Sequence, residues 1–153
     1  NVIPIQEGMQ YAGFAFLQKE DDFGPASMFF NFMQQALEND CDFAYINEDI
    51  SEEDLEQMKL GTDDADIILF AVFHRSRSYV GDIGTSEKIS AIMKKIAMGK
   101  PIITVYFGNP YLADEIRSDV SVLTYSNSLA SLAAATMILS GRTNNMDAQP
   151  NNN

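Results

Sequence analysis

A chain of 153 residues, 46% apolar and 21% charged, is long enough to bury one core without disulfides or metals to hold it. Its formal charge of −12 argues against nucleic acid and anionic membranes as partners, because both would repel it. No run of eighteen apolar residues occurs, so no membrane span is expected.

The charge is unevenly placed. Residues 1–66 hold sixteen acids against Lys19 and Lys59, a balance of −14, while residues 67–153 carry +2. A solvated acidic surface is the simplest reading of the first half. Cys41 is the sole cysteine and His74 the sole histidine, so neither an internal disulfide nor a cysteine- or histidine-rich metal site can form within one chain. The first residue is Asn1, with no basic and then apolar leader after it; the expectation is a processed chain or part of a longer one.

Residues 1–9, with Pro4 and Gly8, read as a connector into a single domain over 10–141. The apolar run to Leu17 predicts a first strand, with Gly13 marking a close approach. Pro25 suits a first helical position, and Phe29, Phe32, Met33, Ala36 and Leu37 share one helical face. Residues 42–47 form a second short strand. Ser51 with Asp54 resembles a capping box opening a peripheral helix that ends at Gly61, with Leu55 and Met58 as its main buried residues.

Residues 65–109 organise the rest. ADIILFAVF and KPIITVYFGN are near-continuous apolar runs separated by a helix over 86–98, whose Ile89, Ile92, Met93, Ile96 and Ala97 fall on one face. That is the pattern of a βαβ crossover between buried parallel strands. Val120–Ser126 predicts a fifth strand. A last helix over 128–140 is apolar almost all round, so its own sheet should cover one side and something else another. The polar stretch 142–153 reads as a disordered tail. Alternation of strand and helix through five strands predicts an α/β three-layer sandwich on a mostly parallel sheet, flavodoxin-like or Rossmann-like.

Ligands of such sheets bind beyond the carboxyl ends of the strands. The loop after the third strand, HRSRSYVGDIGTS, holds His74, Arg75 and Arg77, and Gly84, Thr85 and Ser86 feed a helix start. Capping by Thr85 or Ser86 is the simpler reading and an anion held by free N–H groups the sharper one. GxGxxG and the P-loop lysine are both missing. So are a G-x-S-x-G elbow and a plausible cysteine nucleophile. Acid pairs such as Asp21–Asp22 and Asp63–Asp64 read as solvated loop residues, since adjacency in sequence does not set two carboxyls across a cleft. Nothing in these patterns calls for a cofactor, and a nucleotide- or flavin-binding module is the alternative that the fold class leaves open.

The segment KPIITVYFGNPYLADEI, preceded by ADIILFAVF and followed by VSVLTYSNSLASLAAATMILSG, resembles the C-terminal α/β-sandwich domain of glycoside hydrolase family 3, closest to the β-N-acetylglucosaminidase branch. The likeness runs over roughly residues 10–141, with Asn109, Pro110 and Tyr111 its most specific part. It implies an accessory domain beside an N-terminal (β/α)8 barrel that carries the aspartate nucleophile. It also implies a carbohydrate substrate for the whole enzyme; no segment here matches the acid/base glutamate that the β-glucosidase branch places in this domain, so no catalytic residue is assigned to this chain. His74, Arg75, Arg77, Asn109 and Tyr111 are then the candidates to face the barrel or its sugar. A closing strand of the G-x-LPV type is also implied; GRTNNMDAQPNNN stands in its place.

Overall fold

The computed structural model describes residues 3–6, 8–18, 20–38, 42–73, 83–108, 110–124 and 126–141, with the backbone alone at 83–86, 110 and 111. Among these residues five strands, β1 (Tyr11–Leu17), β2 (Phe43–Ile46), β3 (Ile67–Phe73), β4 (Ile102–Phe107) and β5 (Val120–Thr124), the last two joined through a 3-10 turn, accompany four helices. These are α1 (Phe23–Leu37), α2 (Glu52–Leu60), α3 (Ile83–Ala97) and α4 (Leu129–Ser140). Every strand pair is parallel and the order is β2-β1-β3-β4-β5. This is the flavodoxin-like arrangement, in which the order reverses between β1 and β3 and the crossovers change face there.

Burial on both faces explains the apolar runs. In β3 all seven residues are buried. Ile67, Leu69, Ala71 and Phe73 point to the side of α1 and α4, whereas Ile68, Phe70 and Val72 point to the side of α2 and α3. Strand period two therefore shows as two cores, not as polar alternation. In the first core the Phe73 and Phe107 rings stack at 4.7 Å, and Phe29 meets Phe107 edge-on at 5.2 Å. On the other side Phe70 packs between Phe14 and Phe16.

Gly13 does mark a close approach, and the partner is a side chain. A Cβ there would run into the Phe30 ring of α1, so this helix sits closer to the sheet than any larger residue would let it. Residues 3–6 are tied in as well: Ile5 is buried in the first core, and its N–H donates to the Leu139 carbonyl at 2.7 Å.

Helix ends follow side-chain chemistry. Ser51 Oγ accepts from the Asp54 N–H at 3.1 Å, and Ser128 Oγ accepts from the Ser131 N–H at 3.3 Å. Gly141 ends α4 in the left-handed region, with φ 78°, where a Cβ costs most. Two starts differ from expectation. Helix α1 begins at Phe23, so Pro25 is its third residue; the first four N–H groups of a helix have no acceptor within it, so proline breaks nothing there. Helix α3 begins at Ile83, which puts Gly84, Thr85 and Ser86 inside the first turn, with neither hydroxyl residue preceding it as a cap. The same lack of obligatory bonds makes that turn tolerant of glycine and hydroxyl residues.

Candidate functional site

Parallel pairing sends every strand out of the sheet at one carboxyl edge, so the loops after β1, β3, β4 and β5 gather there. β3 and β4 are neighbours in register, Val72 beside Tyr106. The chain thus leaves the sheet at Phe73 and at Gly108 on adjacent strands of the same edge. His74, Arg75, Arg77 and Asn109 lie outside the described residues. Tyr111 belongs by its backbone to a 3-10 turn over Pro110–Asp114. The topology brings the two loop entries together; it does not fix where the five side chains go.

Around those entries the edge is built from backbone and hydroxyl groups. Gly108 has φ 96°, a left-handed conformation that lets β4 turn at once into Pro110–Asp114. Its N–H donates to the Thr124 carbonyl of β5 at 3.3 Å. Thr124 Oγ1 donates to the carbonyls of Tyr106 and Ser126, at 3.2 and 2.8 Å. Ser126, Ser128 and Ser131 then link their hydroxyls at 2.8 to 3.3 Å over the start of α4. Leu112, within the turn, and Ile116, just after it, are buried against the second core, which anchors the turn on the sheet.

The loop after β1 is acidic. Gln18 leads into a 3-10 turn, Glu20–Asp22, at the mouth of α1. Asp22 corrects the reading of Asp21–Asp22 as solvated acids: it is 1% exposed, and its Oδ2 accepts from the Gln18 N–H at 3.3 Å. A buried carboxylate that closes the preceding turn gains a backbone donor in exchange for water. The sequence signal is its position just before an apolar-periodic helix, although the side chain makes no cap bond to α1.

The KP and NPY ends of the segment KPIITVYFGNPY lie at opposite ends of β4. Pro101 precedes the strand and Pro110 follows it. Lys100 Nζ donates to the Thr62 and Asp63 carbonyls, tying the end of α2 to the start of β4 at the amino edge. Its position makes it a clamp between connections, remote from the loops after β3 and β4. Chemically, no group of three or more His, Cys, Asp or Glu side chains able to hold a metal occurs among the described residues, and no described helix is long and apolar enough to cross a membrane.

By sequence the chain matches no protein-family model and no curated protein. By structure it is similar to a glycoside hydrolase family 3 β-N-acetylglucosaminidase from Paenibacillus sp. str. FPU-7, with TM-score 0.59 and 11% identity over 87% of this chain and 25% of that one. It is also similar to a β-glucoside phosphorylase, with TM-score 0.52 and 15% identity over 92% of this chain and 26% of that one. The likeness is one of fold, and this chain spans about a quarter of the length of those proteins.

Proposed function

We propose that the chain is an accessory α/β-sandwich domain of a family 3 glycoside hydrolase, of the β-N-acetylglucosaminide type, that carries no nucleophile of its own. In this reading residues 10–141 form one domain beside a catalytic barrel in cis, and 142–153 form a tail. The loops after β3 and β4, with His74, Arg75, Arg77, Asn109 and Tyr111, face the barrel cleft or its sugar. The observation that carries it is the fold shared over 87% of this chain with a quarter of a family 3 β-N-acetylglucosaminidase, together with the NPY segment at the exit of β4. Adjacent exits of β3 and β4 support the loop assignment, because loops from neighbouring parallel strands can act on one ligand.

Two measurements test the reading. The chain alone should release no nitrophenol from 4-nitrophenyl N-acetylglucosaminide above background; turnover at glycosidase rates would remove the accessory role. Titration with N-acetylglucosamine oligomers, followed by NMR, should shift amides in 73–77 and 108–111 first. Shifts confined to the amino edge around Lys100 would move the site elsewhere.

A flavin- or nucleotide-binding module is the second reading, favoured by the strand order, which places a ligand crevice at the β1/β3 reversal. Its weakness is electrostatic. A phosphate there would meet Glu20, Asp21 and Asp22 at the mouth of α1, and no glycine-rich cradle precedes them. Flavin mononucleotide should therefore leave the melting temperature unchanged, and a saturable rise would reverse the preference.

A further inference from the structure

The end of the last helix is held by the beginning of the chain. α4 starts beyond the carboxyl end of β5 and runs back across the sheet, so Leu139 and Gly141 reach the amino edge, where the chain also enters β1. Residues 3–6 lie against them there. The Ile5 N–H donates to the Leu139 carbonyl at 2.7 Å, and Leu139 stands in the last turn of a helix, where carbonyls find no N–H within the helix itself. Ile5 is 3% exposed in the first core, and Ile3 packs against the same cluster. Pro4 sits over Gly141: a Cβ added at that glycine would lie 2.9 Å from the Pro4 Cβ. The left-handed cap of α4 is thus covered by a residue from the other end of the chain.

The hold is local. Pro4, Gln6, Gly8 and Gln10 are exposed, and Ile5 is the one buried residue described between positions 3 and 10. The last turn of α4 likewise buries only Leu139. β3, by contrast, has all seven residues buried and is paired on both sides. Segments with so little burial open at low free energy and such a strand only near global unfolding.

We infer that residues 3–6 are a latch on α4, and that latch and last helical turn open together as one unit while the sheet and the start of α4 stay folded. Each half needs the other. Without the latch the Leu139 carbonyl loses its donor and Gly141 its cover; without the helix end the Ile5 N–H has no acceptor. The start of α4 does not depend on the latch, because Ser128 holds it: the Ser128 hydroxyl accepts from the Ser131 N–H at 3.3 Å and its carbonyl from the Leu132 N–H at 2.9 Å. The domain therefore has a second, latch-open state that alters its amino edge and leaves the carboxyl-edge loops as they are. This stands whether or not the glycoside hydrolase reading holds.

Native-state hydrogen exchange of the intact chain in low urea provides the test. The Ile5 amide and the Gly141 amide, which donates to the Met137 carbonyl, should exchange through one opening, with the same dependence on urea, and faster than the β3 amides. Ile5→Ala should speed Gly141 exchange by about tenfold or more and leave the Leu132 and β3 amides within about threefold. Ile5→Val should do the same to a smaller degree if the alanine variant fails to fold. Gly141→Ala should push Pro4 aside and speed exchange of the Ile5 amide. Pro4→Gly should cancel most of that acceleration, which loss of the glycine cap alone would not allow. Unequal urea dependence for the Ile5 and Gly141 amides overturns the inference. So does an Ile5 variant that leaves Gly141 untouched or speeds β3 by the same factor, or an effect of Gly141→Ala that Pro4→Gly leaves in place.

Discussion

The two helical layers of this sandwich solve the same burial problem with opposite chemistry. On one side α1 and α4 carry no formal charge, and each seals the sheet with four buried residues: Ala26, Phe29, Phe30 and Met33, and Leu132, Ala135, Thr136 and Leu139. On the other side α2 carries five charged residues in nine and buries only Leu55, while α3 lays Ile89, Ile92, Met93, Ile96 and Ala97 on the sheet and turns lysines outward. Acidic α2 and basic α3 also reach for one another, with Lys95 Nζ 3.4 Å from Glu52 and Lys88 Nζ 4.0 Å from Glu48 of the β2–α2 connection. The difference teaches that the acid excess of the first half is not spread over its surface: it gathers on α2 and the loops and spares α1 altogether.

If the neutral layer holds the main core, damage there should cost most. Phe30 is fully buried, meets Phe29 at 5.1 Å and stacks on Phe43 at 4.8 Å, and it fills the space that Gly13 leaves. Phe30→Ala should lower unfolding free energy by about 3–5 kcal/mol in urea titration. Leu55→Ala on the charged side removes the single buried anchor of α2 and should cost about 2–3 kcal/mol. Native-state hydrogen exchange should show α2 opening before α1 and α4, because little but Leu55 holds it. Equal losses from the two substitutions, or an α2 as protected as α1, would break the contrast.

The neutral layer was legible in the sequence and the candidate site was not, for physical reasons. Helical periodicity in Phe29, Phe32, Met33 and Leu37, and the uninterrupted apolar run of 128–140, write burial directly into composition. β3 and β4 were legible because two buried faces leave almost no polar residue in a strand, Thr104 of β4 being the exception. Helix starts were less so. The hydroxyls of Thr85 and Ser86 looked like caps, but helices tolerate such residues in their first turn as well as before it. An acid beside another acid looks solvated in a sequence, and only the fold shows that Asp22 turns inward onto Gln18. A site made of loop residues such as His74 and Asn109 leaves no period at all, since its geometry comes from strand order, which the sequence does not state.

A smaller effect concerns the polar patch inside the charged side. Tyr106 is fully buried there, near the hydroxyls of Thr104, Ser118 and Ser121. Thr104 and Ser118 take each other at 2.6 Å, while no described group meets the tyrosine hydroxyl in full hydrogen-bond geometry. Burial raises its pKa above the ordinary 10.0, and those neighbouring hydroxyls offset only part of the rise. A group whose folded pKa is raised contributes stability below its unfolded pKa and loses it as pH climbs through the folded value. The protein should therefore weaken above about pH 10, where the unfolded tyrosine ionises freely. Tyr106→Phe should be neutral or stabilising by up to about 1 kcal/mol at pH 7, because it removes a poorly paired buried hydroxyl. It should also flatten the alkaline limb of a melting-temperature profile. A marked loss at pH 7 would mean that the hydroxyl is well bonded after all.

The smallest expected effect asks whether the charges across α2 and α3 hold that layer together. The Glu52 side chain is 80% exposed and that of Lys95 53%, so water and side-chain entropy oppose nearly all of their attraction. Glu52→Gln should change unfolding free energy by no more than about 0.5 kcal/mol, and 0.5 M NaCl should erase even that. Were the loss instead comparable to that of Leu55→Ala, α2 would be held by ion pairs and not by its one apolar anchor. The charged layer would then be a salt-sensitive lid on the sheet, and the neutral layer alone would set stability at high ionic strength.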